Sequence, residues 1–220
     1  MIIHNFEQHS DDWYNIRLGK FTASKASTIA TAGTGLETYC FDLVAEILTK
    51  QRKEGFTSPA MEQGTELEDV ARTLFEMETG YQVEQVGFVE IDRFSGCSPD
   101  GLILNRTSGL EIKCPQDNTY ARYLFDEKIK PEYYAQMQMN MLFCECDKWF
   151  YMVYNPHFEN NFVIREVSAD KEFQKKLIDG LNKGKDKIIE ILKKIELKNS
   201  QEPDFWEDFL NSEIKLDYRI

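Results

Sequence analysis

No apolar run in the 220 residues approaches the length of a membrane span, which a bilayer-crossing helix needs at about 20 residues. The start, MIIHNFEQHSDDW, lacks a basic segment followed by an apolar one, so a secretory signal peptide is not expected and a cytoplasmic location is. Cysteine is scarce and unpaired in spacing: Cys40, Cys97, Cys114, Cys144 and Cys146 make an odd set that suits reduced thiols. Cys144-x-Cys146 has no further cysteine after it, which excludes a zinc knuckle and argues against a four-cysteine iron–sulfur clasp. Positive charge is also in deficit. A net charge of −12 argues against a non-specific nucleic-acid coat but leaves room for a local basic groove. Internal repeats and low-complexity tracts are absent. What is present fits one globular domain over residues 1–220: 42% hydrophobic, 13% aromatic, with no break in composition. Residues 203–220 are set apart as a tail for subunit or partner contacts.

Along the chain, the pattern predicts a short helix over 10–18, capped by Ser10 and closed at Gly19, with Trp13 and Ile16 inward and Arg17 near its end. A second helix is expected from Thr22 or Ser24 to Ala30. A third, over 37–50, would bury Phe41, Val44, Ile47 and Leu48. After a loop over 53–60, a helix from Met61 to Thr79 would bury Leu67, Val70, Ala71 and Leu74. Strand-like alternation follows over 81–101, then short helices over 118–127 and 131–144, strands over 148–154 and 162–168, and a lysine-rich helix over 170–195. The N-terminal helices are thus expected to feed an antiparallel sheet.

The stretch 95–115 concentrates the chemistry. Leu102-Ile103-Leu104 and Leu110-Glu111-Ile112-Lys113 flank the turn-rich 105–109, the pattern of a β-hairpin. Period-two geometry puts Glu111 and Lys113 on one face and Leu110 and Ile112 on the other. A Glu-x-Lys alternation alone is ordinarily one wet face of a strand. Pro99-Asp100 upstream changes the reading, because an aspartate and a glutamate on neighbouring strands can share a hard divalent cation through oxygen ligands. A lysine beside them can orient water or offset charge developing on a phosphate. Pro99-Asp100 … Glu111-Ile112-Lys113 resembles the signature of the PD-(D/E)xK nuclease superfamily.

Four segments extend the resemblance: 13–24 (WYNIRLGKFTAS), 64–76 (GTELEDVARTLFE), 98–115 and 134–139 (YAQMQM). In order and spacing they resemble the lambda-exonuclease or YqaJ-type family of viral recombination exonucleases. That resemblance implies an α/β (α+β) restriction-endonuclease-like core, a central mixed sheet flanked by helices. It implies a Mg²⁺-dependent exonuclease that degrades one strand of linear duplex DNA 5′ to 3′ from phosphorylated ends. Two Mg²⁺ ions, with Mn²⁺ as a substitute, would be held by Asp100, Glu111 and the carbonyl of Ile112, with Glu68 near the second ion or its water. Lys113 would position the attacking hydroxide. Arg17, Ser24 and Gln136 would bind the 5′-terminal phosphate. The family further implies a ring-shaped homotrimer around DNA, working beside a single-strand annealing protein.

Blander readings stand beside these. Glu62, Glu66, Asp69 and Glu76 surround Glu68 and read as a solvated face; Arg17 alone would be a surface arginine and Ser24 a helix cap. Gln136 and Gln138 are two apart on a helix, so only one is expected to reach the site. His4, His9 and His157 lack ligand spacing and read as surface groups, while Met137, Met139 and Met141 read as core. Phe205, Trp206 and Phe209 have three open destinations: their own domain, a subunit contact or a partner. Two other functions compete: a different nuclease of the same core, restriction-type or structure-specific, or a DNA-end-binding protein that does not cut.

Overall fold

The first ordered element is one the sequence pattern does not announce: β1 (Ile2–His4), paired antiparallel with a strand over eighty residues later. The computed structural model describes residues 1–52, 59–104 and 107–199, and side chains among them except at 59–63 and 196–199. Helix α1 (Asp11–Arg17) starts on Ser10, whose hydroxyl accepts from Trp13 N at 3.3 Å, and carries Asp11 and Asp12 in its first turn and Arg17 in its last, each suited to the helix dipole. The expected second helix is divided. β2 (Phe21–Thr22) and a 3₁₀ turn (Ala23–Lys25) precede α2 (Ala26–Thr31), so Ser24 lies on the turn and not in the helix body.

Next come α3 (Thr34–Thr49) and α4 (Pro59–Thr79). The face of α3 differs from expectation: Leu36, Cys40, Leu43 and Val44 are buried, whereas Phe41 and Leu48 are exposed. The buried stripe is set by α7 across it, one position out of step with the most apolar face. On α4, Ala71 and Phe75 are buried and Val70 is exposed. Then follow β3 (Val83–Glu84), β4 (Phe88–Asp92), β5 (Ser95–Cys97), β6 (Gly101–Ile103) and β7 (Ser108–Lys113). Helices α5 (Asp117–Asp126) and α6 (Pro131–Cys144) lead to β8 (Lys148–Tyr154), β9 (Phe162–Ser168) and α7 (Lys171–Asn199).

The strands form two sheets, ordered β1-β4-β5-β2 and β3-β6-β7-β8-β9. Both are mixed. β6 and β7 form the expected antiparallel hairpin, but β7 runs parallel to β8, with Glu111 beside Tyr151 and Lys113 beside Val153. Parallel neighbours need a long crossover, and α5 and α6 supply it. The antiparallel sheet read from the strand pattern is therefore corrected to a mixed one with helices on both sides, as the family resemblance implies. One face, with Ile103, Leu110, Ile112, Phe150 and Met152, packs under Ala71 and Phe75 of α4. The other, with Trp149, Tyr151 and Val153, packs against α5, α6 and α7. Helix α7 approaches α2 very closely: a Cβ at Gly180 would stand 2.0 Å from the Ile29 carbonyl oxygen, and one at Gly184 would stand 2.6 Å from Phe21. Glycine is required there by space, not by dihedral angle.

Asn105, Arg106, most of the expected 53–60 loop and the whole 203–220 tail with its three aromatic residues lie outside the described residues, as does the side chain of Glu62.

Candidate active site

The strand alternation delivers its two faces as expected. Leu110 and Ile112 enter the core under α4, and Glu111 and Lys113 point towards α6. Glu111 is fully buried; Lys113 Nζ donates to its Oε1 at 2.5 Å, and Asn140 Nδ2 donates to its Oε2 at 3.3 Å. Asp100, entering β6, accepts from Ile112 N through Oδ2 at 2.6 Å, which ties the two strands at the carboxylate. Lys113 Nζ also lies 5.2 Å from the centre of the Tyr133 ring.

A cleft of about 180 Å³ opens above this hairpin, and five of the eight residues singled out from sequence line it: Arg17, Ser24, Glu68, Asp100 and Gln136. Glu111, Ile112 and Lys113 lie on the adjoining strand β7, reached through the Asp100–Ile112 hydrogen bond. Of the acids around Glu68, Glu66 and Asp69 are exposed and Glu76 accepts from Val83 N at 2.7 Å. Gln138 is not in the cleft: it is buried, donating to Ser168 O and accepting from Asp170 N, so it joins α6 to the start of α7.

Several contributors have no distinct signal in the sequence. Ser98, just before Pro99, accepts from both Trp13 Nε1 at 2.8 Å and Arg17 Nη1 at 2.9 Å. Arg17 stacks on the Trp13 ring, its Cζ 4.0 Å from the centroid. Gln8 Nε2 donates to Val86 O and Pro99 O, both at 2.9 Å, strapping the N-terminal segment to the Asp100 turn. His9 is exposed, as expected of a surface group, and it also lines the cleft, against Trp13, with φ +67°. His4 pairs with Glu90, and His157 with Asp117.

Electrostatically the cleft has two ends. At one, burial lowers the pKa of the Arg17 guanidinium from its usual value without discharging it. At the other, acids crowd together. Burial and then Asp100 push Glu68 up to about 7. Burial also drives Glu111 upward, with Lys113 pulling the other way. For Lys113, burial opposes the charge, but Glu111 and Asp100 outweigh it and hold the amine well above its usual range, protonated. Cys114 nearby is pushed up to about 12 by burial, so it offers a thiol and not a thiolate ligand. The clustered donors at this end are therefore carboxylate oxygens, which suit Mg²⁺ or Mn²⁺. Among the described residues no group of three or more His, Cys, Asp or Glu side chains is set to hold a metal ion. Mg²⁺ keeps several of its waters and takes only one or two carboxylates from a protein, which Asp100 with Glu111 or Glu68 could supply.

Residues 12–147 match the model of the YqaJ-like viral recombinase domain. The chain belongs to the YqaJ-like viral recombinase family. Two solved structures of LHK-Exo agree with this membership. The alkaline exonuclease LHK-Exo from Laribacter hongkongensis is 30% identical, with a TM-score of 0.75 over 87% of this chain and 100% of that one. LHK-Exo in complex with dAMP is 27% identical, with a TM-score of 0.80 over 86% and 98%. A phage-related exonuclease from Haemophilus somnus 129PT shares the fold at 13% identity, with a TM-score of 0.64 over 80% and 96%. No curated protein matches. The family match spans α1 through α6, so the β6–β7 hairpin and all of the cleft lining except Gln8 and His9 fall inside the YqaJ-like region. Among the described residues no helix is long and apolar enough to cross a membrane.

Proposed function

We propose that this YqaJ-family protein is a Mg²⁺-dependent 5′-to-3′ exonuclease, with Mn²⁺ as a substitute ion. It degrades one strand of linear duplex DNA from 5′-phosphorylated ends and leaves 3′ overhangs for single-strand annealing. The class of activity, a DNA exonuclease, follows from the family. The finer reading rests on one observation: a single small cleft has Arg17, Ser24 and Gln136 among its lining and also Glu68 and Asp100, beside Glu111 and Lys113. An anion pocket next to a carboxylate site measures from a strand terminus, which an endonuclease has no need to do.

Asp100 and Glu111 would hold the ions, with Glu68 and the Ile112 carbonyl completing the set; when bound, Mg²⁺ supplies charge neutralisation on the phosphate and lowers the pKa of its water. Arg17 donates from its planar fork to the terminal phosphate, and its stacking on Trp13 and bond to Ser98 fix the fork before substrate arrives. Ser24 and Gln136 add a hydroxyl and an amide donor. Lys113 cannot serve as the base, because Glu111 and Asp100 keep it protonated. It orients the nucleophile and offsets charge developing on the scissile phosphate. A homotrimeric ring around DNA would let an acidic chain stay on its substrate by enclosure, with a single-strand annealing protein receiving the overhang. The dAMP complex of LHK-Exo is consistent with a cleft that accommodates a 5′-mononucleotide.

Timed digestion of linear duplex labelled at either strand end, with and without Mg²⁺, tests cofactor, polarity and end dependence together. Release of 5′-label first, only with Mg²⁺ and only from linear DNA, is the expected result. Cleavage of closed circles would replace this reading with an endonuclease, and duplex binding without nucleotide release would replace it with an end-binding protein.

A further inference from the structure

Arg72 is a buried cation that no step above uses. It lies on α4 one turn beyond Glu68, so the two side chains share a helix face. Its exposure is 9%, and its guanidinium reaches three separate parts of the fold. Nε donates to the Asp100 carbonyl oxygen at 3.2 Å, and Nη1 to Asp69 Oδ1 at 2.6 Å. With its amide turned so that the oxygen faces the guanidinium, Gln85, in the link between β3 and β4, accepts from Nη1 at 2.6 Å and Nη2 at 3.0 Å.

Taking a guanidinium out of water costs several kcal/mol, and an apolar side chain fills a purely structural gap more cheaply. What an apolar residue cannot do is grip a carbonyl. The turn at Asp100 is pinned at three points: Gln8 holds Pro99 O, Ile112 N holds the Asp100 carboxylate, and Arg72 holds Asp100 O. The first two ties come from the N-terminal segment and from β7. Arg72 supplies the tie from the helix that carries Glu68. We propose that Arg72 is a positioning residue that fixes the spacing between Glu68 and Asp100 and thereby sets the divalent-cation affinity of the cleft. This rests on reading the cleft as the metal site.

Charge and geometry make opposite forecasts. A positive group beside the carboxylates repels a cation, so if Arg72 acted only through its charge, removing it would tighten Mg²⁺ binding. If it acts by holding Asp100 against α4, removing it weakens binding, on the order of tenfold as for other groups that orient metal ligands.

The test is calorimetric titration of the full-length, metal-free protein with Mg²⁺, for wild type, Arg72→Gln, Arg72→Lys, Gln85→Ala and Asp100→Asn. Far-UV circular dichroism and melting in chelator establish that each variant is folded. Arg72→Lys keeps the buried charge but cannot span Asp100, Asp69 and Gln85 together. Gln85→Ala removes a partner at an exposed position, so the protein still folds. Weaker Mg²⁺ binding in the folded Arg72 variants, about tenfold, with a smaller loss in Gln85→Ala, is the expected result. Should both Arg72 variants unfold, the Gln85→Ala affinity decides alone: weaker binding upholds the role. Wild-type or tighter affinity in the folded variants overturns it. Undiminished Mg²⁺ binding by Asp100→Asn would instead overturn the metal-site reading.

Discussion

Replacing Glu68 by glutamine should stabilise the metal-free protein above neutrality while blunting its response to Mg²⁺. The carboxyl of Glu68 is raised from 4.5 to about 7, by burial first and by Asp100 second, with Lys113 and Arg72 working against them. A carboxyl raised on folding holds its proton more tightly in the folded state. The unfolded chain therefore gives up that proton at lower pH, and folding stability falls between the two pKa values, here from about 4.5 to about 7. At about 1.4 kcal/mol per pKa unit, the loss reaches roughly 3 kcal/mol at most. For a chain of this size that is on the order of 6–12 °C in melting temperature. Glutamine carries no charge to desolvate and escapes the loss.

The assay is chemical or thermal unfolding near pH 5 and near pH 8, in chelator and in excess Mg²⁺. Wild type in chelator should be less stable near pH 8, Glu68→Gln should lose less, and Mg²⁺ should rescue wild type most near pH 8, where protons no longer compete for the carboxylates. A Glu68→Gln protein whose stability falls with pH as steeply as wild type would remove Glu68 as the titrating group. A wild type more stable near pH 8 than near pH 5 in chelator would refute the crowded-acid account of the cleft.

Lys113→Ala should lower turnover by about 10²–10³-fold while duplex binding survives, read by single-turnover hydrolysis beside a gel shift in Ca²⁺; full activity would reject its assigned role. Arg17→Ala should cut the preference for 5′-phosphorylated over 5′-hydroxyl ends by about tenfold or more, the worth of a charge-assisted hydrogen bond; competition between the two labelled ends measures it, and an unchanged ratio would mean the phosphate pocket is misplaced. Gly180→Ala should cost about 1–3 kcal/mol by overpacking against the Ile29 carbonyl, despite alanine's better helix propensity, and a denaturant midpoint at or above wild type would show that α7 has room to move.

Which features could be read from the chain alone follows from how local their causes are. Strands β8 and β9 fall where the alternation puts them, and Ser10 caps α1 as expected, because a residue's immediate neighbours decide both. The faces of Glu111 and Lys113 follow from strand period alone. The parallel pairing of β7 with β8 did not follow, since a strand's own sequence does not say which way its neighbour runs; that choice is made by the α5–α6 crossover. The face of α3 failed for a related reason. A strip containing Phe41 is more apolar than one containing Cys40, but the helix across it is α7, and Cys40 donates to the Gly184 carbonyl there. The polar scaffold of the cleft was least legible. Arg72 reaches Asp100 across 28 residues, Arg17 reaches Ser98 across 81, and Gln8 reaches Pro99 across 91. A buried donor selects its acceptor by position in space, so Ser98 reads as the end of a strand until Trp13 and Arg17 are set against it. The acids and the lysine could be picked out from their own motif, but the groups that hold them at working distance come into view only when the chain is folded.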